Sequence, residues 1–304
     1  MTTSHSTFRT LLLASAVLTT PTGCLDTSAG ADDDAPETTA EATSALTISG
    51  LERVQATSET SSQWWRSPTV TCNGSNKLLG MGSLQPANGA ILFRGLVPHT
   101  DGVYPDRFEA AAHEDLGGTS ADWSITGYGI CGAQPSLMSL HSTTSVASSA
   151  AKQVQTVNCP SGTKVLGAGG TILDGDGRVK IDEIAPNAAL DQVTVTASDD
   201  QDGTSSNWQV RAYAICAVAP TGLVRVTETA ANAWDGTSVI ARCPSGKRLL
   251  GLGGGVSATD LHALRVYGLI PATNLASAVT RAISKGSTAG VTGEVRSYAI
   301  CADE

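Results

Sequence analysis

One sequence block of about 80 residues recurs three times in this 304-residue chain, so a single supersecondary unit must fold three times. Each copy opens with a cysteine that is followed by a basic residue and a Gly-x-Gly pair, and each copy closes with Tyr-x-Ile-Cys. The opening segments are Cys72–Gly82, Cys159–Gly169 and Cys243–Gly253, and the closing segments are Tyr128–Cys131, Tyr213–Cys216 and Tyr298–Cys301. The two cysteines of a copy are 59, 57 and 58 residues apart in the three copies.

This constant spacing favours one disulfide within each copy. Six cysteines allow fifteen pairings, but repetition selects the pattern in which the same bond occurs three times. The expected bonds are Cys72 with Cys131, Cys159 with Cys216, and Cys243 with Cys301. Such bonds persist in oxidising compartments outside the cytoplasm.

The closing segment of each copy alternates in the manner of a β-strand with one buried face. In the second copy, Trp208, Val210, Ala212 and Cys216 share one face, which we expect to lie in the core. The third copy has Gly293 where the tryptophan would be, so its core must be filled differently, and Trp234 is one candidate.

The composition predicts an all-β protein without long helices. Glycine is abundant at 32 residues and charged residues make up only 15%, which suits short strands joined by tight turns. Turn chemistry follows the first cysteine, and the repeated glycines allow another backbone to come close. About five or six strands per copy predict a small β-sandwich. The copies either form a linear array or close around one pseudo-threefold axis as a β-prism, and the sequence leaves both arrangements open.

The N-terminus predicts export. Arg9, the apolar run from Leu11 to Leu18 and the small residues before Cys24 resemble a bacterial signal peptide with a lipobox, in which Cys24 would be acylated. Pro21 stands where the lipobox usually has leucine, and 29–31 offers an alternative cleavage site for free secretion. We divide the chain into a signal peptide (1–24), an acidic disordered tether (25–46), module 1 (47–133), module 2 (134–219) and module 3 (220–304).

The formal charge of -9 comes largely from the region before residue 46. That region holds six acidic residues and Arg9 as its single base, which leaves roughly -4 for the rest of the chain. The modules therefore have no basic footprint for nucleic acid, and contact with a membrane is expected only through the lipid anchor.

The repeated motifs resemble a known but functionally unassigned repeat. Cys-Pro-Ser-Gly-x-x-(Val/Leu)-Leu-Gly-x-Gly, combined with Trp-x-Val-x-x-Tyr-Ala-Ile-Cys, is similar to a repeat of uncharacterised secreted proteins of actinobacteria and myxobacteria. The resemblance covers residues 47–304, and it implies export and tandem β modules but no chemistry.

Two sets of residues are candidates for ligand binding. Bases and tyrosines that recur with the module could form three equivalent sites for a sugar or an anion. They are Lys77, Lys164, Arg248, Tyr128, Tyr213 and Tyr298. The alternative is that the tyrosines pack on a strand and the bases protect sheet edges from aggregation. Asp199, Asp200 and Asp202 are weak calcium candidates that also suit a hairpin turn, as does the pair Asp174 and Asp176.

No local catalytic motif is evident. Ser161 and Lys164 match Ser-x-x-Lys, but they follow Cys159 in a predicted turn and the companion motifs are missing. The histidines after residue 46 are His99, His113, His141 and His262, at unrelated positions of the repeat. We therefore expect a non-catalytic exported or cell-envelope protein without a cofactor, which binds an extracellular ligand such as a glycan or envelope polymer. The alternatives are a passive structural spacer and a secreted hydrolase with its site in one module.

Overall fold

A computed structural model describes residues 46–100, 102–175, 177–231, 236–258, 262, 264–284 and 293–304. The signal peptide, Cys24, the tether before residue 46, Asp176 and Trp234 lie outside the described residues. Within these ranges the protein is all-β, as the composition predicts. No helix that could cross a membrane is found among the described residues.

Strands form wherever the sequence alternates or carries the repeated glycine motif. Module 1 contains β1 (Glu52–Thr57), β2 (Trp65–Arg66), β3 (Thr69–Thr71), β4 (Lys77–Leu84), β5 (Ile91–Thr100), β6 (Pro105–Glu114) and β7 (Thr126–Gly132). Module 2 contains β8 (Ser139–Thr144), β9 (Lys152–Asn158), β10 (Lys164–Asp174), β11 (Val179–Pro186), β12 (Gln192–Asp199) and β13 (Trp208–Ala217). Module 3 contains β14 (Val224–Ala231), β15 (Ser238–Arg242), β16 (Lys247–Ala258), β17 (Leu264–Pro271), β18 (Ser277–Ser284) and β19 (Gly293–Asp303).

The three modules share three antiparallel sheets, and each sheet takes three or four strands from one module and three from another. Sheet I has the order β1-β7-β4-β17-β18-β15 and joins modules 1 and 3. Sheet II has the order β2-β6-β5-β10-β13-β8, with β3 also on β6, and joins modules 1 and 2. Sheet III has the order β14-β19-β16-β11-β12-β9 and joins modules 3 and 2. The joining pairs are β4 with β17, β10 with β5, and β16 with β11.

Each module is a β-sandwich whose two half-sheets belong to different sheets. A methyl group added at Gly127 of β7 would lie 2.7 Å from Val70 and 3.1 Å from Ala110, which belong to the other half-sheet of module 1. In module 2, a methyl group on Gly170 of β10 would lie 2.8 Å from Val195 of β12. The sandwich prediction is therefore confirmed, and its buried side chains form one continuous core across all three modules.

The repeated Leu-Gly-x-Gly motif brings the modules together around a pseudo-threefold axis. In β4, β10 and β16 the register shifts at a bulge just before the first glycine of the motif, Gly80, Gly167 or Gly251. A methyl group on Gly80 would lie 2.5 Å from the carbonyl oxygen of Leu250, and one on Gly167 or Gly251 would collide with that of Leu79 or Leu166. Module 1 thus meets module 3, module 2 meets module 1, and module 3 meets module 2, so the contacts close a ring. This arrangement is the β-prism-like one of the two left open by the sequence.

The second glycine of the motif allows strands of two modules to come close in a shared sheet. At Gly82, Gly169 and Gly253, an added methyl group would meet a carbonyl oxygen of the neighbouring module, on Leu269, Leu96 and Ile184 respectively. Both glycines are therefore required by close backbone approach, which only a residue without a Cβ allows.

The three disulfides pair as predicted, within each module. They join Cys72 to Cys131, Cys159 to Cys216 and Cys243 to Cys301, with Cα atoms 5.7 to 5.8 Å apart. Each bond ties the segment before the glycine-motif strand to the end of the last strand of the module. Closing a loop of this length contributes about 4 kcal/mol in the chain-entropy account.

Module 3 fills the place of the missing tryptophan with a leucine. A side chain at Gly293 would collide with Cδ1 of Leu264 at the start of β17. Leu264 is 2% exposed, so it occupies the space that Trp123 and Trp208 take in the other modules.

Candidate functional site

The sequence-predicted bases and tyrosines do not form a common site. Lys77 lies opposite Gly132 on β7, whereas Tyr128 lies opposite Gly82, farther along the same pair of strands. The four positions from Gly132 to Tyr128 on β7, at about 3.3 Å each, place Lys77 and Tyr128 roughly 13 Å apart. The register repeats for Lys164 and Tyr213 in module 2.

The three tyrosines are buried, with 6 to 8% of each residue exposed. Each lies directly opposite the second glycine of the motif, where an aromatic ring can cover the bare backbone. Arg53 stacks on Tyr128 at 4.3 Å and Arg225 on Tyr298 at 5.2 Å, measured from the guanidinium carbon to the ring centroid. These contacts are what the packing alternative predicts.

The bases bind groups at their own end of the sheets. Lys164 donates to the carbonyl oxygen of Ala189 at 2.8 Å, and Arg248 pairs with Glu304 at 3.3 Å. Ser161 lies in a turn closed by a bond from the Thr163 amide to the Pro160 carbonyl, so the Ser-x-x-Lys match has no helix to position it.

The calcium candidates sit at the turn that follows β12. Asp199 and Asp200 are buried, and the Asp202 amide donates to a carboxylate oxygen of Asp200 at 3.0 Å, as in an Asx turn. The part of the chain that the structure describes contains no group of three acidic, histidine or cysteine side chains that could hold a metal ion.

The most distinctive surface lies on module 1, where two adjacent tryptophans are exposed. Trp64 is 44% exposed and Trp65 is 41% exposed. They belong to residues 58–71, between the end of β1 and Cys72, which equal in number the corresponding residues 145–158, between the end of β8 and Cys159. The two tryptophans are therefore substitutions within the repeated module. We call Trp64, Trp65 and the neighbouring Arg94 the tryptophan platform.

Strand pairing determines which way Trp65 points. Trp65 lies opposite His113 and Arg66 opposite Ala112, at the edge of sheet II. Arg66 is 7% exposed, and its guanidinium bonds Gln63 at 3.3 Å and lies 5.8 Å from the ring of the core residue Trp123. Successive side chains of a strand point to opposite faces of the sheet. Since the Arg66 side chain points into the module, the Trp65 side chain points to the outer face of sheet II.

Trp65 is held beside a cation and an open cleft. The guanidinium carbon of Arg94 lies 5.1 Å from the Trp65 ring centroid. The cleft has a volume of about 360 Å³ and runs between the end of β1 and β2–β3. Hydroxyl groups and one carboxylate line it together with Trp65, on Thr57, Ser58, Ser67, Thr69 and Glu59. Its volume lies within the range of small-molecule sites.

Trp64 is anchored across a module boundary. Its ring lies against Gly177 of module 2, where an added methyl group would collide with the indole. It also lies 5.9 Å from the ring of His113, centroid to centroid. His113 is 1% exposed beneath it, and burial, with the charges of Arg94 and Arg265, lowers the pKa of His113 to about 3. The histidine is therefore neutral at physiological pH and supports the platform from below.

Sheet III shows how different the equivalent position can be. In sheet III, Lys152 lies opposite Ser198 of β12, and this pair is equivalent to Trp65 opposite His113 in sheet II. Asp182 is equivalent to Arg94, because each is the extra residue at the bulge of its strand. A smaller pocket of about 120 Å³ lies there. Its polar groups bind each other: Glu183 accepts from Tyr298 at 2.8 Å and from Arg296 at 3.1 Å. The platform of sheet II therefore has no counterpart at this place on sheet III.

Comparison with known proteins gives no guide to the ligand. No family model matches the chain, and no curated protein is significantly similar to it.

Proposed function

We propose that this protein is an exported, non-catalytic binding protein whose tryptophan platform holds a polysaccharide. The observation that carries the proposal is the exposure of two adjacent indoles in a chain with only 4% aromatic residues. Exposed aromatic patches of this kind on a soluble protein mark interaction sites.

The chemistry of the cleft favours a carbohydrate. A sugar ring has a face of C–H groups that suits an indole, and hydroxyl groups around its rim that need hydrogen-bond partners. Trp65 supplies the apolar surface, and the hydroxyls of Ser58, Ser67 and Thr69 lie beside it. The open shape of the cleft suits a polymer that continues beyond the bound rings.

Export is supported by the disulfides and the N-terminal sequence. Three disulfides are typical of an oxidising, extracytoplasmic environment. The signal pattern adds a finer proposal, in which acylated Cys24 anchors the protein and the acidic tether of 25–46 holds the three modules away from the membrane. Free secretion is the alternative when Cys24 is not acylated.

The proposal predicts that Trp65→Ala weakens polysaccharide binding roughly tenfold or more, because truncating a tryptophan that anchors a binding interface costs about 2 kcal/mol or more. The measurement is retention of the full exported chain on a panel of insoluble polysaccharides, including peptidoglycan, chitin, cellulose and cross-linked polygalacturonate. Ile240→Ala is the matched control, since Ile240 is also an exposed large apolar residue, at 39%, but lies in module 3.

The same experiment separates the competing functions. The proposal requires the wild-type chain to be retained, Trp65→Ala to be lost, Ile240→Ala to behave as wild type, and no sugar to appear in the supernatant. Retention that does not depend on Trp65 would contradict the proposed site. No retention on any polymer would favour the passive spacer, and released sugars would favour the hydrolase.

A further inference from the structure

We infer that the polysaccharide bound by the tryptophan platform is acidic and carries carboxylates, as a polymer of uronic acids does. This inference rests on the proposed function and specifies its ligand class. It is drawn from a comparison of the outer faces of sheets II and III, which the pseudo-threefold symmetry makes equivalent.

Three carboxylates of sheet III are replaced on sheet II. On sheet III, Arg296, Gly255 and Glu183 lie side by side on three neighbouring strands. On sheet II, Arg211, Thr171 and Gly95 lie side by side in the same register. Glu183 is thus replaced by Gly95. In the same register, Glu294 is replaced by Gln209 and Asp182 by Arg94.

The substitutions change how each arginine is neutralised. On sheet III, Arg296 pairs with Glu183 at 3.1 Å and with Glu294 at 2.6 Å. On sheet II, Arg211 keeps its place but donates from Nε to the hydroxyl of Thr144 at 2.8 Å, which carries no charge. Sheet II therefore has fewer carboxylates around its arginines than sheet III, and Trp65 and Leu92 take the places of the sheet III lysines Lys152 and Lys180.

Arg94 adds a second cation directly beside the stacking surface. It donates to the carbonyl oxygen of Asp174 at 3.2 Å, and burial lowers its pKa, with the Asp174 charge acting in the opposite direction. A guanidinium has five N–H donors, so it retains donors for a ligand after this bond. The acids close to this surface are Asp174 at the rim, Glu59 in the wall of the cleft, and Glu109, which accepts from the cleft hydroxyl of Ser67 at 3.3 Å.

A uronic acid fits this combination. Its carboxylate is attached to the rim of the ring, so a ring stacked on Trp65 can direct the carboxylate toward Arg94. A planar guanidinium binds a carboxylate through two parallel hydrogen bonds, which is stronger and more specific than a neutral contact. Arg211, two strands away at roughly 10 Å, can pair with a later carboxylate of the same polymer.

The test compares two forms of one polymer on the full exported chain. Soluble polygalacturonate and its methyl ester have the same backbone, but only the first is charged. We expect wild type to bind the acid form about tenfold more tightly than the ester at low salt, and Arg94→Gln to abolish most of that preference. Arg53→Gln is the matched control, because Arg53 also stacks on an aromatic ring but lies on sheet I.

The outcomes distinguish this inference from the proposed function. Equal affinity for acid and ester, with both lost in Trp65→Ala, would overturn the inference and leave the proposed function standing. The inference also fails when Arg94→Gln retains the full preference, or when dextran sulfate binds as tightly as polygalacturonate, since recognition would then not require a carboxylate. An absence of Trp65-dependent binding to either form would overturn both.

Discussion

Gly251→Ala should destabilise the whole protein by about 3 kcal/mol or more, a large effect for the addition of one methyl group. The added Cβ would collide with the carbonyl oxygen of Leu166, which belongs to module 2. Backbone cannot rotate away as a side chain can, so two modules must separate or a sheet must distort. Chemical denaturation followed by circular dichroism measures the loss as a lower unfolding midpoint.

The ring of contacts gives this prediction its controls. Gly80→Ala and Gly167→Ala should be similarly damaging, because their added methyl groups also meet a carbonyl of another module. Gly268→Ala should be tolerated, since its nearest neighbour is the flexible end of Ile270 at 3.2 Å and Glu183 occupies the equivalent position in module 2, directly after the bulge. A Gly251→Ala protein within about 0.5 kcal/mol of wild type would contradict the axial packing.

Acid should destabilise the protein through His113. The folded pKa is about 3 against an ordinary value of 6.5, so between these values the unfolded chain binds a proton that the folded chain does not. The contribution of neutral His113 is complete above pH 6.5 and is lost as the pH falls. The expected loss between pH 7.5 and pH 5 is about 2 kcal/mol.

His113→Gln isolates this effect, because glutamine does not titrate. The variant should show a pH dependence of the unfolding free energy that is flatter than wild type by that amount, whatever the substitution itself does to stability at pH 7.5. Denaturation curves of wild type and of His113→Gln at pH 7.5 and pH 5 provide the four free energies of unfolding required. Equal slopes for the two proteins would show that His113 is protonated without unfolding, and that Trp64 does not seal it from solvent.

The repeat, the disulfides and the class of fold could be predicted from the sequence because each depends on local pattern. Alternation identified the core face of the last strand, and constant cysteine spacing identified the bonds. The glycines of Leu-Gly-x-Gly indicated close backbone approach, but not which backbone. Pairing of β10 with β5, or of β16 with β11, joins strands of different modules, and the same strand patterns would suit a linear array of modules.

The candidate site was missed for a similar reason. Repetition directed attention to Lys77, Tyr128 and their equivalents, whereas the platform lies where module 1 departs from the repeat. A signal was present, since Trp64 and Trp65 are adjacent and fall outside every repeated motif. The proximity of Arg94 to Trp65 could not be read, because it depends on β6 lying between β2 and β5. Functional residues of repeat proteins are therefore worth seeking at positions where one copy differs.

The position of the tryptophan platform depends on the packing of the three modules into one compact body. Small-angle X-ray scattering of residues 44–304, which form one compact unit, tests this packing most directly. A single compact body of this size has a radius of gyration of about 18 Å. A value near that figure is the result expected for interlocked sheets. A value of about 25 Å, as three separate modules in a row would give, would contradict the shared sheets and the axis.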